Sequence, residues 1–349
     1  MLSDFFKNKK IFITGHKGFK GAWLCSLLQL AGAEICGYSL DFPKNPSLFD
    51  ILKLEGKFIS EEGDICDREK LHRVIGEFKP EIVIHMAAQP IVRVSYEKPY
   101  ETFQTNVMGT VSVLEAARLC DCVRSFVNVT TDKVYENKEW CYSYRENDVL
   151  NGYDPYSNSK SCSELVTSCY FNSFFQERGI AVSTARAGNV IGGGDFAADR
   201  IIPDCIRAVE KQEPILIKNP NATRPYQHVL DVLYAYLLIA AKQYDDPRYS
   251  DSYNVGPNNE DCVSNGYLVD LFCKSYKENA SWRSAPSSGP HEANRLQLDS
   301  SKIRNILGWK PVWNIEKAIY KSVEWAKCYL KKEEMVAVTQ MQIKDFLSQ

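Results

Sequence analysis

The stretch KIFITGHKGFKG, residues 10–21, decides the fold because it joins a strand-like run to a helix-like one. Three glycines, Gly15, Gly18 and Gly21, stand three residues apart between KIFIT and the apolar-periodic run FKGAWLCSLLQLAGA. Glycines at such a turn bring backbone N–H groups close to a diphosphate at the positive end of the following helix. The stretch therefore predicts a dinucleotide-binding turn, with these glycines and Phe19 at the cofactor.

Outward from this turn, short β-rich runs alternate with helical ones through the first half of the chain. The expected strands contain KIFITG, EICGYS, KFIS, EIVIHMAA, SFVNVTT and AVSTARAGNV. Continuous apolar strands separated by helices indicate a parallel sheet covered on both faces. We expect an α/β, doubly wound Rossmann domain over 1–188 with a returning segment near 229–257. A smaller C-terminal lobe is expected mainly over 189–330, followed by a polar tail at 331–349 without an assigned role.

Composition excludes several classes of protein. The 349 residues carry a net charge of -2, which gives no reason to expect nucleic acid or an acidic membrane surface as a partner. No apolar run approaches the ~20 residues that span a bilayer, and the N-terminus lacks the pattern of a secretory signal. The twelve cysteines lack zinc spacing and the five histidines lie far apart, so we expect no metal. A cytoplasmic protein with reduced thiols is the expectation.

The cofactor's adenosine end is less plainly encoded. An acidic residue usually ends the second strand, but GYSLD places Ser39 near that position and Asp41 two residues beyond, which leaves NAD or NADP open. Asp64, followed by Ile65 in GDICD, is expected at the adenine edge or, alternatively, as a helix-start residue. In HMAA, the small residues Ala87 and Ala88 leave room for the cofactor.

Two further motifs carry chemistry. YDPYSNSK places Tyr156 and Lys160 four residues apart on one face of a helix, where an ammonium would lower the pKa of a phenol. TTDKVY ends the fifth expected strand with Thr131, Asp132 and Lys133 in a row. Because open parallel sheets bind ligands at their strand ends, we expect both motifs at one site.

Together, the glycine loop, HMAA, TNVMGT, TTD and the tyrosine–lysine pair resemble the nucleotide-sugar branch of the extended short-chain dehydrogenase/reductase family. The resemblance extends to about residue 325. Longer strings, including GHKGFKGAWL, TTDKVYEN and RAGNVIGGGDFAADRIIPD, are most similar to its CDP-glucose type of 4,6-dehydratase. It implies that carbon 4 of CDP-glucose is oxidised by a tightly bound NAD, water is lost across carbons 5 and 6, and hydride returns to carbon 6. In that family the 4-keto-6-deoxy product supplies deoxysugars for bacterial surface polysaccharide such as the lipopolysaccharide O-antigen.

The same resemblance implies catalytic roles. Tyr156, assisted by Lys160, is the base at the 4-hydroxyl, Thr131 hydrogen-bonds that oxygen, and Asp132 protonates the departing 6-hydroxyl. Lys133 stands where many relatives have glutamate. A lysine is a base only if its pKa falls by several units, whereas a lysine paired to Asp132 orients the carboxylate. Both roles for Lys133 remain open.

Resemblance also implies the substrate contacts and a homodimer formed through a four-helix bundle of the helices near 101–119 and after Pro155. The candidate substrate-binding residues are Ser95, Arg93, Asn189, Arg224 and His291, with Glu292 beside the last. Asn106 is expected to be a buried scaffold, Arg93 has a plain salt bridge as its alternative, and His228 and Asp231 are either structural or functional.

The sequence leaves two alternative functions open. A nucleotide-sugar epimerase, or a dehydratase that also inverts carbon 5, would keep the fold and change the product. A catalytically silent dinucleotide-binding regulator would belong to another class, but such proteins often lack the tyrosine–lysine pair.

Overall fold

The computed structural model describes residues 2–41, 46–278, 280–286 and 293–349. A seven-stranded sheet in the order β10-β6-β5-β4-β1-β2-β3 forms its centre, and every neighbouring pair is parallel. The strands of this sheet are β1 (Lys10–Thr14), β2 (Glu34–Ser39), β3 (Ile59–Glu62), β4 (Ile82–His85), β5 (Ser125–Val129), β6 (Ala181–Ala187) and β10 (Ser252–Val255). The smaller strands are β7 (Asn189–Ile191), β8 (Ile215–Ile217), β9 (Thr223–His228), β11 (Cys262–Ser264) and β12 (Trp282–Ser284).

The α-helices follow the strands in chain order. They are α1 (Leu2–Phe6), α2 (Phe19–Leu30), α3 (Leu48–Ile51), α4 (Arg68–Phe78), α5 (Val92–Glu97), α6 (Pro99–Phe103), α7 (Gly109–Arg118), α8 (Pro155–Tyr170), α9 (Ile201–Glu210), α10 (Val229–Asp245), α11 (Asn265–Tyr276), α12 (Ser301–Leu307), α13 (Ile315–Leu330) and α14 (Met335–Leu347). A π-helical turn, Gln104–Met108, makes α6 and α7 continuous. Among the described residues, none of the helices combines the length and apolarity needed to cross a membrane.

Alternating strand residues pack into two separate cores, one on each face of the sheet. In β1, Ile11 and Ile13 enter the cluster that contains the apolar residues of α2 and α10, whereas Phe12 enters the cluster with α4 and α7. Such a two-sided burial explains why the strands read as unbroken apolar runs. The predicted doubly wound α/β fold is confirmed.

The cleft lies where the strand order reverses. β1 pairs with β2 on one side and with β4 on the other, so the crossover helices leave β1 and β4 toward opposite faces. Ligands of open α/β sheets bind at this reversal, beyond the carboxyl ends of the strands. The glycine loop at residues 15–18 and the residues after β4 and β5 lie at this place.

The second lobe rests on a three-stranded sheet, β11-β9-β7, and a two-stranded sheet, β12-β8. The sixth expected strand, 181–190, is split: β6 ends at Ala187 and β7 begins at Asn189 in the other sheet. Gly188 lies between them because a Cβ there would come within 2.6 Å of Pro225 Cγ in β9. The split carries the chain from one lobe to the other beside the cleft.

Residues after 330 pack onto the main core. Helix α14 buries Met335, Val338, Ile343 and Phe346, and Thr339 accepts a hydrogen bond from the Trp325 indole at 3.0 Å. The same indole covers the glycines that follow β7, since a Cβ on Gly193 would lie 2.0 Å from Trp325 Cγ.

Candidate active site

The glycine loop forms a tight cradle at the start of α2. Gly15 has φ +78°, and a Cβ there would lie 2.9 Å from the backbone nitrogen of Ala87. A Cβ on Gly21 would come within 2.2 Å of the Gly15 carbonyl oxygen, so the first turn of α2 touches the loop backbone. The two glycines leave the helix N-terminus open toward the cleft, as a bound diphosphate requires.

A buried polar chain holds the backbone after β4. The Thr14 hydroxyl oxygen accepts N–H groups from Met86 and Ala87, each at 3.1 Å, and directs its own proton to His85 Nδ1 at 2.7 Å. His85 Nε2 therefore carries the proton and donates to Thr110 at 3.1 Å. Burial lowers the pKa of His85 to about 3, so the ring stays neutral. This chain places Ala87 against Gly15, with Ala88 next along the cleft.

Residues expected at the adenosine end lie around the ends of β2 and β3. Ser39 is buried, accepts the Lys17 N–H at 3.3 Å and contacts His16 Nδ1 at 3.0 Å. Asp41 is exposed beside a surface cavity of about 300 Å³. The lining residues of that cavity are Lys17, Asp41, Ser47, Phe49, Asp50, Glu55 and Glu62.

Asp64 lies beyond β3 with its side chain exposed and its Oδ1 accepting the Cys66 N–H at 2.9 Å. This local bond is the one expected of a turn residue, which was the alternative named for Asp64. Ile65 is buried against Gly109, where a Cβ would lie 2.4 Å from Ile65 Cδ1.

The residues after β5 form a single 3₁₀ turn, which brings three functional groups together. The Thr131 hydroxyl donates to Asp132 Oδ1 at 3.0 Å, and the Lys133 ammonium donates to the same oxygen at 3.1 Å. Asp132 is fully buried, and its second oxygen, Oδ2, has no hydrogen-bond partner among the described residues. Lys133 keeps 31% of its side chain exposed. One carboxylate oxygen is thus held, and the other is enclosed without a partner among the described residues.

Helix α8 presents the tyrosine and the lysine. It begins at Pro155, and the preceding Asp154 accepts the Ser157 N–H at 3.0 Å as the N-cap. Tyr156, in the first turn, is 9% exposed and lies close enough to the Thr131 hydroxyl for this group to lower its pKa. Lys160, one turn later, donates to the carbonyl of Val129 at the end of β5 at 3.1 Å.

The expected lowering of the Tyr156 pKa by Lys160 is wrong. Burial raises the pKa of Tyr156, and the groups that oppose this rise are Lys133, Thr131 and Arg200. Burial also lowers the pKa of Lys160 to about 8, against the charge of Glu164. The physical reason is that both groups are enclosed, and enclosure favours the neutral form of each. The ammonium that opposes the rise of the Tyr156 pKa is that of Lys133, after β5, and not that of Lys160 on α8.

The expected substrate residues divide into cleft and support positions. Asn189 begins β7, and its buried Oδ1 has no hydrogen-bond partner among the described residues. Arg224 is buried in β9 and donates to the carbonyls of Thr223, at 2.9 Å, and Ala293. Ser95 is fully buried and donates to the Val92 carbonyl at 2.6 Å, within α5.

Arg93 forms a half-exposed ion pair with Asp199 at 3.4 Å, which is the plain salt bridge named as its alternative. His291 and Glu292 lie outside the described residues. Asn106 is buried, accepts the Gln89 N–H at 2.8 Å and donates to Ser159 at 2.9 Å, as a scaffold beside α8 does.

His228 and Asp231 lie at the start of α10, away from the cleft residues above. His228 caps the helix by accepting the Leu230 N–H at 3.2 Å, and its ring packs on Trp313 with centroids 4.7 Å apart. Asp231 accepts the Val312 N–H at 2.6 Å. These contacts are those of structural residues.

Two cations near the site were missed by sequence reasoning. Arg200, paired with Asp195 at 2.9 Å, lies close enough to Tyr156 to lower its pKa. Lys20 sits in the first turn of α2, and burial lowers its pKa to about 7, with Lys160 and Arg200 adding to the effect. A positively charged lysine at a helix N-terminus is unfavourable because it opposes the helix dipole. This unfavourable placement is the sequence feature from which Lys20 could have been recognised as a candidate site residue.

Comparison with known proteins identifies relatives across almost the whole chain. The family model described as GDP-mannose 4,6 dehydratase matches residues 12–322. The chain is 46% identical to a CDP-glucose 4,6-dehydratase of Salmonella typhimurium, over 99% of this chain and 98% of that protein.

Solved structures share the fold. A UDP-glucose 4-epimerase of Thermotoga maritima with UDP-glucose superposes with a TM-score of 0.80 at 22% identity, covering 92% of this chain and 99% of that one. A dTDP-glucose 4,6-dehydratase of Bacillus anthracis in complex with NAD gives 0.75 at 22% identity, covering 95% and 99%.

Proposed function

The chain belongs to the GDP-mannose 4,6 dehydratase family, and from this premise we propose that it is an NAD-dependent CDP-glucose 4,6-dehydratase that makes CDP-4-keto-6-deoxyglucose. One observation carries the dehydratase reading. Asp132 is fully buried at the strand end, with Oδ1 held by Thr131 and Lys133 and with Oδ2 lacking a partner among the described residues. Loss of water needs a proton donor at the leaving hydroxyl, whereas an epimerase has no such step. The 46% identity to the Salmonella enzyme supports CDP-glucose as the substrate.

Each catalytic side chain has one task in this proposal. Tyr156 takes the proton of the 4-hydroxyl, and Thr131, close to the phenol, hydrogen-bonds the same substrate oxygen as its charge changes. Asp132 Oδ2 gives a proton to the departing 6-hydroxyl. Lys160, fixed on the Val129 carbonyl, would supply positive charge at the cofactor site.

Lys133 is proposed to orient Asp132 in the resting site. Its ammonium already donates to Asp132 Oδ1 and lowers the pKa of Tyr156, and both effects need the charged form. Water loss also needs an acceptor for the carbon 5 proton, and Lys133 is the group proposed to take it after its ammonium has passed a proton to Asp132, which protonates the leaving hydroxyl. A purely orienting role for Lys133 is the alternative.

The cradle fits a dinucleotide. A Cβ on Gly15 or Gly21 would collide with Ala87 or with the loop backbone, so these glycines let the loop and the first turn of α2 close into the cradle that a diphosphate needs. Gly15, Gly18, Phe19 and Gly21 would hold the diphosphate, and Asp41, Asp64 and Ile65 the adenosine. When bound, NAD supplies reversible redox chemistry at the sugar, and it is regenerated in each turnover.

The charge around the adenosine end favours NAD over NADP. Among the described residues, four carboxylates, those of Asp41, Asp50, Glu55 and Glu62, line this cavity together with one cation, Lys17. A 2′-phosphate placed there would be repelled, whereas a free hydroxyl would find hydrogen-bond acceptors.

The substrate diphosphate is proposed to lie between Asn189 and Arg224, with Arg200 near the phenol. Arg93, Ser95 and His291 remain proposals for the hexose and nucleotide contacts. We propose that the cofactor binds to residues 1–188 together with the returning segment 229–257, and that the nucleotide sugar binds mainly to residues 189–330.

The function is tested by incubating the purified protein, without added cofactor, with CDP-glucose, dTDP-glucose, GDP-mannose or UDP-N-acetylglucosamine and following mass. We expect loss of one water from CDP-glucose alone. Loss of water only from another sugar would keep the reaction and overturn the substrate. A change of stereochemistry without water loss would replace the dehydratase by an epimerase, and no reaction would favour the regulator.

A homodimer is proposed for the outer face of α6 to α8. Large apolar side chains there remain exposed, with Tyr100 at 76%, Met108 at 55% and Leu165 at 57%. A second copy of the same face would cover them as a four-helix bundle. Sedimentation should show a dimer that Leu165→Glu weakens and that Met341→Glu, an equally exposed position on α14, does not. A monomeric wild-type protein would contradict this proposal.

A cytoplasmic location and a role in supplying deoxysugar for surface polysaccharide complete the proposal. All twelve cysteines are free thiols, which suits a reducing compartment.

A further inference from the structure

Glu164 is a buried carboxylate that the reaction does not use directly. It lies on α8 one turn after Lys160 and is 2% exposed. Its side chain contacts residues of β6 and the residue that directly follows β5. Oε1 accepts the hydroxyl of Thr130 at the end of β5, while Oε2 accepts the hydroxyl of Thr184 at 2.6 Å and the guanidinium of Arg186 at 2.8 Å.

Arg186 continues this hydrogen-bond network from Glu164 to Tyr135 and to β10. Its Nη1 donates to the Tyr135 hydroxyl at 2.8 Å, and this hydroxyl donates to Asn254 Oδ1 in β10 at 2.6 Å. The ion pair therefore joins α8 to β5, β6 and β10. Thr130 directly precedes Thr131, so a single carboxylate connects the helix of Tyr156 to the strand end of Asp132.

We propose that Glu164 is a positioning residue that fixes α8 against the ends of β5 and β6 and keeps the Lys160 side chain in its ammonium form at the site. This inference rests on the proposed function only for the role of Lys160 in catalysis. Lys160 is 3% exposed and donates to the neutral Val129 carbonyl, and Glu164 follows it one turn later on α8. A buried ammonium keeps its proton only if a nearby anion offsets the loss of water.

The other ionisable groups near Lys160 do not replace that anion. His85, from β4, is a neutral ring, and Lys20, from α2, carries no negative charge in either of its protonation states, so neither supplies an anion to Lys160. Tyr156, on α8, is neutral because burial raises its pKa. Burial lowers the pKa of Lys160 to about 8, and Glu164 is the group that opposes this fall.

The test removes each member of the ion pair separately. Glu164→Gln keeps the shape and deletes the negative charge, so Lys160 should titrate about one pH unit lower or more. Arg186→Met leaves the carboxylate without its guanidinium, so Lys160 should titrate higher than in the wild-type protein. The titration is read by NMR of protein labelled with ¹⁵N-lysine, with Lys160→Arg used for assignment. The alkaline limb of kcat/KM for CDP-glucose should move in the same two directions.

Opposite shifts are the signature of charge, because loss of packing alone would move both variants the same way. Thr184→Val is the matched control, since it deletes a neutral donor to the same carboxylate and should leave the Lys160 titration unchanged. If a single variant does not fold, the double variant Glu164→Gln/Arg186→Met removes both members of the ion pair, so that neither is left without the other, and Lys160 should still titrate below its wild-type value.

Unshifted titration in folded Glu164→Gln or in the double variant, or an equal shift in Thr184→Val, would overturn the inference. An inactive wild-type protein would instead overturn the proposed function, and the NMR titration would still test Glu164.

Discussion

Replacing Gly21 by alanine should weaken cofactor binding through the backbone of the glycine loop. The added Cβ would lie 2.2 Å from the Gly15 carbonyl oxygen and 2.6 Å from His16 Cα. Ordinary contacts for such a carbon begin above 3.0 Å, and both neighbours are backbone atoms that cannot rotate away. The first turn of α2 and the loop must therefore separate by roughly 1 Å.

The size of the effect follows from this displacement. Overpacking of a tight contact costs about 1–3 kcal/mol. If the loop takes up the strain, the same free energy is lost from the diphosphate site, and the Kd for NAD rises by a factor of about 5 to 150. The Tyr156–Lys160 end of the cleft lies on other elements and should keep its geometry.

The assay is calorimetric titration of the cofactor-free protein with NAD, together with urea unfolding. Gly76→Ala is the control, because Gly76 is exposed in α4, has helical backbone and would place its Cβ within 4 Å of nothing. That variant should bind NAD as the wild type does and gain about 0.5–1 kcal/mol of stability. Equal NAD affinity in Gly21→Ala and Gly76→Ala would refute the reasoning.

Three further changes test the catalytic groups and the core. Asp132→Asn should slow water loss by about 10²–10⁴ while carbon 4 oxidation persists, seen as absorbance of the reduced cofactor, and unchanged turnover would remove Asp132 as the acid. Lys133→Met should move the acid limb of kcat/KM to higher pH, because the Lys133 ammonium lowers the pKa of Tyr156. Near-normal exchange of the carbon 5 proton in deuterated water by this variant would exclude Lys133 as the base. Burial raises the pKa of Asp231 to about 7, whereas its pKa in the unfolded chain is near 4. The contribution of Asp231 therefore favours the folded state below pH 4 and is lost as the pH rises to about 7. Asp231→Asn should therefore add up to about 4 kcal/mol of stability at pH 8 and little at pH 4, and equal gains by urea unfolding at both would contradict this.

The sheet could be predicted because its determinants are local. Apolar runs of strand length, the glycines after β1 and the Asp154–Pro155 start of α8 each act within a few residues. Thr131 and Asp132 were likewise predicted to share a site with Tyr156, since all three follow strand ends or helix starts at one edge.

Contacts between distant parts of the chain could not be predicted in this way. The pairing of Glu164 with Arg186 joins a helix to a strand, and the approach of Arg200 to Tyr156 depends on the second lobe. The end of β6 at Ala187 depends on Pro225 from β9, which has no signal near residue 188. The direction of the Tyr156 pKa depends on enclosure, which spacing along a helix does not report.

The packing of the Trp325 indole on Gly193 has a consequence for how this chain can evolve. A side chain at 193 is blocked while the indole is present, because its Cβ would meet the ring at 2.0 Å and the ring is 1% exposed. A smaller residue at 325 leaves space, at the cost of a cavity, and only then is alanine at 193 admitted. The substitution at 325 must therefore come before the substitution at 193. Descendants of this chain that carry a side chain at 193 should already have lost the tryptophan at 325.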